Sequence, residues 1–341
     1  MSRDLGHSEG INVAVVGATG AVGRDLLSVL ERTNLPVATF RLFASASSNG
    51  EVVEVRGRSH RVQSLPGTDG TAAVFEGIDL VFIAAPAAVS RPLIPQLQEL
   101  DVPVVDIGGT LADKAPLMVA SVGLEPIADF PDTRVMCSPS APAVLVSTIL
   151  AQLAHRGAIA VRGTVMLSAS SAGKAGAEEL SGQVVSLFNG QTPPRAVFSQ
   201  GLAFDLMSQM GDLVEGWSTV ERRVAMEVAD VLAWAPEQAL MSVILAPMFA
   251  GVAGDLVIEF DHAVDLQAVV NLLGETPGVR VGDPVPGPRR VAGDSAIYVG
   301  RVRLDPDPHR LHLWFSADNL RAGASTNAVA IATALWSEGY L

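Results

Sequence analysis

The sequence predicts an α/β fold: a doubly wound parallel sheet at the N-terminus, followed by a second, α+β domain whose sheet is more antiparallel. Three observations carry this expectation. The chain opens on an apolar run, Ile11-Asn12-Val13-Ala14-Val15-Val16, then a glycine-spaced turn, Gly17-Ala18-Thr19-Gly20-Ala21-Val22-Gly23, then an apolar stripe through Leu26, Leu27, Val29 and Leu30. Short apolar runs at 38–45, 79–84 and 102–106 have the length and composition of buried parallel strands, and a crossover at 90–100 with Pro92 near its start lies before the last of them. After Pro139 the pattern changes. A helix is expected at 142–155, a strand at 160–168, a helix at 175–188, strands at 241–247, 256–261, 297–304 and 311–317, and a closing helix at 324–336.

The order strand, glycine turn, helix suits the pyrophosphate of a dinucleotide. Gly17 permits the tight turn, Gly20 lets backbone N–H groups approach the phosphates, and Gly23 lets the helix pack on the strand. Thr19, Gly20, Ala21 and Val22 offer backbone contacts that need no particular side chain. The first domain therefore reads as Rossmann-type. At the end of its second strand a carboxylate normally grips the ribose 2′-hydroxyl of NAD, but the chain reads Arg41-Leu42-Phe43-Ala44-Ser45, with no acid before Glu51. That disfavours NAD. Ser45 and Ser48, with Arg41 nearby, read either as donors to a 2′-phosphate or as small polar residues of a strand-to-loop turn.

Composition narrows the class. With 341 residues, 49% of them hydrophobic, the chain has material for two domains. A net charge of -13 argues against nucleic acid and anionic lipid as partners. The basic stretch Arg56, Arg58, His60, Arg61 alternates with Val55 and Val62, as the wet face of an edge strand would. The longest apolar stretch, 239–254, is broken by Ser242, Pro247, Gly251 and Gly254 and is too short to span a bilayer. Residues 1–10 are polar and do not form a signal peptide, so a cytoplasmic location follows by default. The single cysteine, Cys137, excludes an intrachain disulfide and fits a reducing compartment. His309 and His312 follow Asp305-Pro306-Asp307-Pro308 as a turn entering a strand, and no metal site is expected.

Five segments in this order resemble aspartate-semialdehyde dehydrogenases over nearly the whole chain. They are Gly17 to Gly23, Ala44-Ser45-Ala46-Ser47-Ser48-Asn49-Gly50, Val104-Val105-Asp106, Ser168-Ala169-Ser170-Ser171-Ala172-Gly173, and Asp318-Asn319-Leu320-Arg321-Ala322-Gly323-Ala324. In detail the chain is similar to the Usg branch, the paralogues of that enzyme. Leu167-Ser168-Ala169-Ser170-Ser171-Ala172-Gly173-Lys174, Val220-Glu221-Arg222-Arg223, Ala246-Pro247-Met248-Phe249-Ala250-Gly251 and Ser316-Ala317-Asp318-Asn319 carry that likeness. The resemblance implies a cofactor domain of 1–138 plus 320–341, a dimerisation domain of 139–319, and a homodimer. It also implies NADP-linked reductive dephosphorylation of aspartyl phosphate through a cysteine thioester, within amino-acid biosynthesis. Gly173 joins Gly17, Thr19, Gly20, Ala21, Val22, Ser45 and Ser48 as an implied cofactor contact.

The family's chemical groups are missing at the matching positions. The nucleophile, two residues after the proline of Asn-Pro-Asn-Cys, falls on Ala141 in Ser138-Pro139-Ser140-Ala141. The histidine after Gly251 is Val252, the substrate-gripping arginine is Leu245, and the glutamine is Leu167. An arginine expected after Val105-Asp106 is absent, and a lysine falls on Val224. Cys137, four residues upstream of Ala141, lies up to roughly 13 Å away along an extended chain. It reads as a buried strand residue, with a displaced nucleophile as the alternative. Ser138 and Ser140 would need an adjacent base, and none is evident. Serine at position 47 where an arginine is frequent, and the charge of Glu51, imply NADP affinity that is weakened or absent. Three readings follow: a catalytically inactive dimeric paralogue, an altered NADP-dependent oxidoreductase acting on a small carbonyl, and an interaction subunit pairing with an active paralogue.

Overall fold

Ile11–Val16 (β1) is buried at every position except Asn12, as a strand covered on both faces must be. The computed structural model describes residues 10–65, 71–113 and 115–341. The polar segment 1–9, in which no signal peptide is expected, lies outside the described residues. Two compact units divide the chain, the first running to Ala120, adding Leu124–Ser138 and taking back Asn327–Leu341. The second holds Ser121–Gly123 and Pro139–Thr326.

The first unit continues with the helix Ala21–Leu30 (α1), then Val37–Ala44 (β2), Val52–Val55 (β3) and Arg58–Ser64 (β4). There follow Thr71–Val74 (α2), Leu80–Ile83 (β5), Ala87–Glu99 (α3), Val104–Ile107 (β6), Phe130–Thr133 (α4) and Val135–Ser138 (β7). Seven strands form one sheet in the order β3-β4-β2-β1-β5-β6-β7, parallel except for the β3–β4 hairpin. Chain order reverses beside β1, with β2 on one side and β5 on the other. In open α/β sheets that reversal marks the crevice where ligands bind, outside the carboxyl ends of the strands.

Within the basic stretch, β4 is not an edge strand, because β3 covers it. Arg56 sits in the hairpin turn at φ +50°, and its guanidinium donates to the carbonyls of Leu30, Leu35 and Val37. It ties the hairpin to the end of α1 and the start of β2 while remaining exposed.

The second unit contains Ala141–Ala154 (α5), Ala158–Leu167 (β8), Gly173–Phe188 (α6), the short pair Leu213–Val214 (β9) and Trp217–Ser218 (β10), and Thr219–Leu232 (α7). Then come Ala239–Leu245 (β11), Val252–Phe260 (β12), Leu266–Glu275 (α8), Val279–Val281 (β13), Ile297–Leu304 (β14) and Arg310–Ala317 (β15). Its main sheet, β11-β8-β12-β15-β14-β13, is mixed: the two outer pairings are parallel and the inner three antiparallel. Helix α5 is buried nearly all round, and Leu145, Ile149 and Leu153 join Val161, Val243, Leu256 and Phe315 in one core. A π-helical turn, Arg321–Ser325, leads into the closing helix Thr326–Ser337 (α9). Among the described residues no helix is long and apolar enough to cross a membrane.

Helices α7 and α8 are absent from the sequence map, although each carries a start signal. Ser218 and Glu221 form a reciprocal capping box, at 2.9 and 3.2 Å, and Asp265 accepts from the N–H groups of Gln267 and Ala268.

Candidate functional site

In the first unit the three turn glycines have different reasons to be glycine. Gly17 has φ +89°, and a Cβ there would strike the carbonyl oxygen of Ala84 at the end of β5. Its N–H and that of Ala18 both donate to the Phe43 carbonyl, at 2.8 and 3.0 Å, which docks the turn against the end of β2. At Gly23 a Cβ would run into the Gly17 carbonyl, so only glycine lets α1 lie this close to the turn. Gly20 is different. Its φ of -70° suits any residue, it is exposed, and a Cβ would meet only the Gly17 oxygen, at 3.3 Å. The fold does not require glycine there, whereas an approaching pyrophosphate does. Ala21 and Val22 open α1, whose first N–H groups have no intrahelical partner. The residues present therefore fit the phosphates of a dinucleotide.

At the carboxyl end of β2, hydroxyls gather. Thr19 donates to Ser48 at 3.2 Å, and Ser45 and Ser47 share a hydrogen bond of 2.8 Å. Arg41 is not part of this group. Its Nη1 donates to the carbonyls of Val74 and Glu76, both at 2.8 Å, so its expected place near a 2′-phosphate is corrected. The cation at this end of the sheet is Arg24, from the first turns of α1. Its Nε donates to the Thr19 carbonyl at 3.0 Å and its Nη2 pairs with Glu51. The acid that the sequence sets beside the turn is thus held in an ion pair.

Cys137 lies fully buried in β7. Burial, then the neighbouring Asp106 carboxylate, pushes its thiol far above the ordinary range. Asp106, also buried, is itself pushed up by burial, against hydrogen bonds from the Thr110 hydroxyl at 2.7 Å, the Leu111 N–H at 3.0 Å, and the Cys137 thiol. A protonated thiol in an apolar strand is no nucleophile. Ser138, one residue on, accepts from the Asn327 amide at 2.9 Å.

In the second unit Ala141 is the first residue of α5, and a Cβ placed on Gly323 would come within 2.8 Å of its methyl group. Leu245 on β11, Leu167 on β8 and Val252 on β12 are register partners. They stand side by side across three adjacent strands, and Ala317 on β15 continues the row. All are 4% exposed or less and belong to the hydrophobic core. Val224 on α7 is in the same core. Sequence reading names these residues separately, and the sheet brings Leu167, Leu245 and Val252 together. Gly173 begins α6 at φ +72° with open space where a Cβ would be. The serines before it are braced: Ser170 bonds to Asn319, whose side-chain oxygen also accepts from the Gly251 N–H at 2.8 Å.

One feature escapes sequence reading. Glu227, on α7 and 3% exposed, accepts from both the backbone N–H of Ser140, at 2.9 Å, and its hydroxyl. Arg223 donates to its other oxygen at 2.8 Å. This carboxylate closes the N-terminus of α5 from another helix, and its place beside Ser140, 87 residues away, is not visible in the sequence. His312 pairs with Asp305 at 2.6 Å on either side of the β14–β15 turn. Among the described residues no group of three or more His, Cys, Asp or Glu could hold a metal ion.

Comparison with known families and proteins gives consistent matches. Residues 12–130 match the family described as semialdehyde dehydrogenase, NAD binding domain, and residues 150–322 match semialdehyde dehydrogenase, dimerisation domain. A USG-1 protein homolog of Azotobacter vinelandii is 34% identical over 97% of this chain and 99% of its own. An aspartate-semialdehyde dehydrogenase of Rickettsia bellii is 31% identical over 95% and 97%. The crystal structure of aspartate semialdehyde dehydrogenase II of Vibrio cholerae, complexed with ASA, superposes with a TM-score of 0.91 at 30% identity, covering 97% of this chain and all of that one.

Proposed function

Because this chain belongs to the aspartate-semialdehyde dehydrogenase family, we propose that it is a dimeric, catalytically silent paralogue that keeps the fold and a weakened hold on NADP. One observation carries the reading: the row Leu245, Leu167, Val252, taken with Ala141, has hydrocarbon at the positions that the resemblance gives to the arginine, glutamine, histidine and nucleophile. A thioester needs sulfur at the start of α5, and a methyl group supplies none. Proton transfer needs an ionisable group, and valine has none. A substrate carboxylate needs a cation, and Leu245 leaves it unpaired in a low-dielectric core.

Bound NADP would supply or accept a hydride. Backbone groups of Thr19, Gly20, Ala21 and Val22 would hold its pyrophosphate on the turn that Gly17 shapes, with hydroxyls of Ser45 and Ser48 toward the ribose and Gly173 as a further contact. The cofactor domain is drawn as 1–138 plus 320–341, and the dimerisation domain as 139–319. Self-association is supported by apolar side chains left in water on the second unit, among them Phe188 and Phe204, 78% and 67% exposed with rings 5.7 Å apart. A cytoplasmic place fits the lone, buried thiol.

The test is NADPH formation from aspartate semialdehyde, phosphate and NADP. The outcome expected is no rate above the protein-free mixture. A rate proportional to protein concentration overturns the proposal. The second reading, an altered NADP-dependent oxidoreductase, draws on Ser140 and Glu227, a hydroxyl bonded to a carboxylate at the start of a helix. Turnover of any small aldehyde that disappears in Ser140→Ala would establish that reading instead. Co-purification with an active dehydrogenase subunit would point to mixed dimers.

A further inference from the structure

We propose that Arg24 is this chain's ligand for the 2′-phosphate of NADP, and that Glu51 is its built-in competitor. The inference rests on the reading that the first unit retains a dinucleotide site. Arg24, Thr19, Ser48 and Glu51 form one connected cluster that joins the first turns of α1, the glycine turn and the loop after β2. Arg24 bonds to the Thr19 carbonyl, the Thr19 hydroxyl to Ser48, and the Glu51 N–H to the Ser48 carbonyl at 3.1 Å. The glycine turn itself is pinned to the end of β2 through Phe43. The cluster therefore stands where the second strand of such a sheet meets the adenosine ribose, the place at which an acid selects NAD and an arginine accommodates the 2′-phosphate.

Arg24 is equipped for that exchange. Its Nε anchors the guanidinium on a backbone carbonyl while Nη2 carries Glu51, and about half of its side chain is in water. A phosphate can therefore take the place of the carboxylate without moving the backbone, and a guanidinium matches phosphate through paired N–H donors. Arg41 cannot substitute, being tied to the carbonyls of Val74 and Glu76. The carboxylate of Glu51 occupies the anion position from within the chain, so NADP must displace it whereas NAD need not. That competition gives a physical cause for weakened NADP affinity, and it makes the weakening reversible by one substitution.

The test is calorimetric titration of the wild type, Arg24→Ala and Glu51→Gln with NADP, NAD and adenosine 2′,5′-bisphosphate at one low salt concentration. Both substituted residues are at the surface, and thermal unfolding of each variant confirms that it is folded. Arg24→Ala is expected to weaken NADP and the bisphosphate by about tenfold and to leave NAD within about twofold. Glu51→Gln is expected to tighten NADP and the bisphosphate several-fold, again sparing NAD. Nucleotide binding with an NADP-to-NAD ratio that neither substitution changes overturns the role of Arg24 while the dinucleotide site stands. No binding of any ligand to any of the three proteins overturns the dinucleotide site and the proposal with it.

Discussion

Glu179 shows how single residues in this fold act through backbone groups far away in sequence. It is buried on α6, and burial alone pushes its carboxyl up. Hydrogen bonds from the N–H groups of Phe198, Val197 and Ala196, at 2.6 to 2.8 Å, and from Gln183 outweigh that and hold it below the usual carboxylate range. A depressed carboxylate contributes stability that is present above its unfolded value and lost as pH falls through its folded value. Glu179→Gln should therefore lower stability by about 2 kcal/mol at neutral pH. The deficit, followed by urea unfolding, should shrink as pH falls through the acid range. An equal deficit at all pH values would assign the effect to packing. Asp106 has the opposite sign: its raised carboxyl favours the protonated, folded state, so its contribution weakens as pH rises out of the acid range. Neither sign is legible in the sequence. The three backbone N–H groups that hold Glu179 lie 17 to 19 residues off, and the burial that raises Asp106 comes from strands on either side of β6.

At the scale of elements, most of the first sheet is legible because apolar runs, glycines and chain order determine it locally. β1, α1, β2, β5 and β6 stand within a few residues of their expected places. The β3–β4 hairpin is not recovered, since its polar alternation looks the same on an edge strand and on the strand beside it. The row Leu245–Leu167–Val252 is a tertiary fact of the same kind, for register between strands up to 85 residues apart leaves no trace in local pattern. Its consequence is testable. Val252→His places the histidine that the resemblance implies inside a core at 0% exposure, and should cost about 3 kcal/mol by burying an unpaired imidazole. Denaturant midpoints measure this directly. A neutral effect would mean that polar space persists around the row and would weaken the inference that the site is refilled.

For the whole molecule, the expectation is a dimer of twice 35.5 kDa that persists on dilution, checked by sedimentation equilibrium. A monomer at micromolar concentration would remove the dimer from the account and leave the exposed Phe188–Phe204 pair without its partner. A net charge of -13 sets the ionic background against which any phosphate-bearing ligand must bind. The family is legible from ordered motifs, because glycine turns and the Asp318-Asn319 brace are local backbone devices. Function is harder to read, because it depends on what occupies a few positions brought together only in the folded chain. The central claim is that no residue of this protein can form the acyl-enzyme on which the family's reaction depends. Its most direct test is intact-mass and peptide mass spectrometry after incubation with aspartate semialdehyde and NADP without phosphate. The account predicts Cys137 and Ser140 unmodified, and an acyl adduct on either one would contradict it.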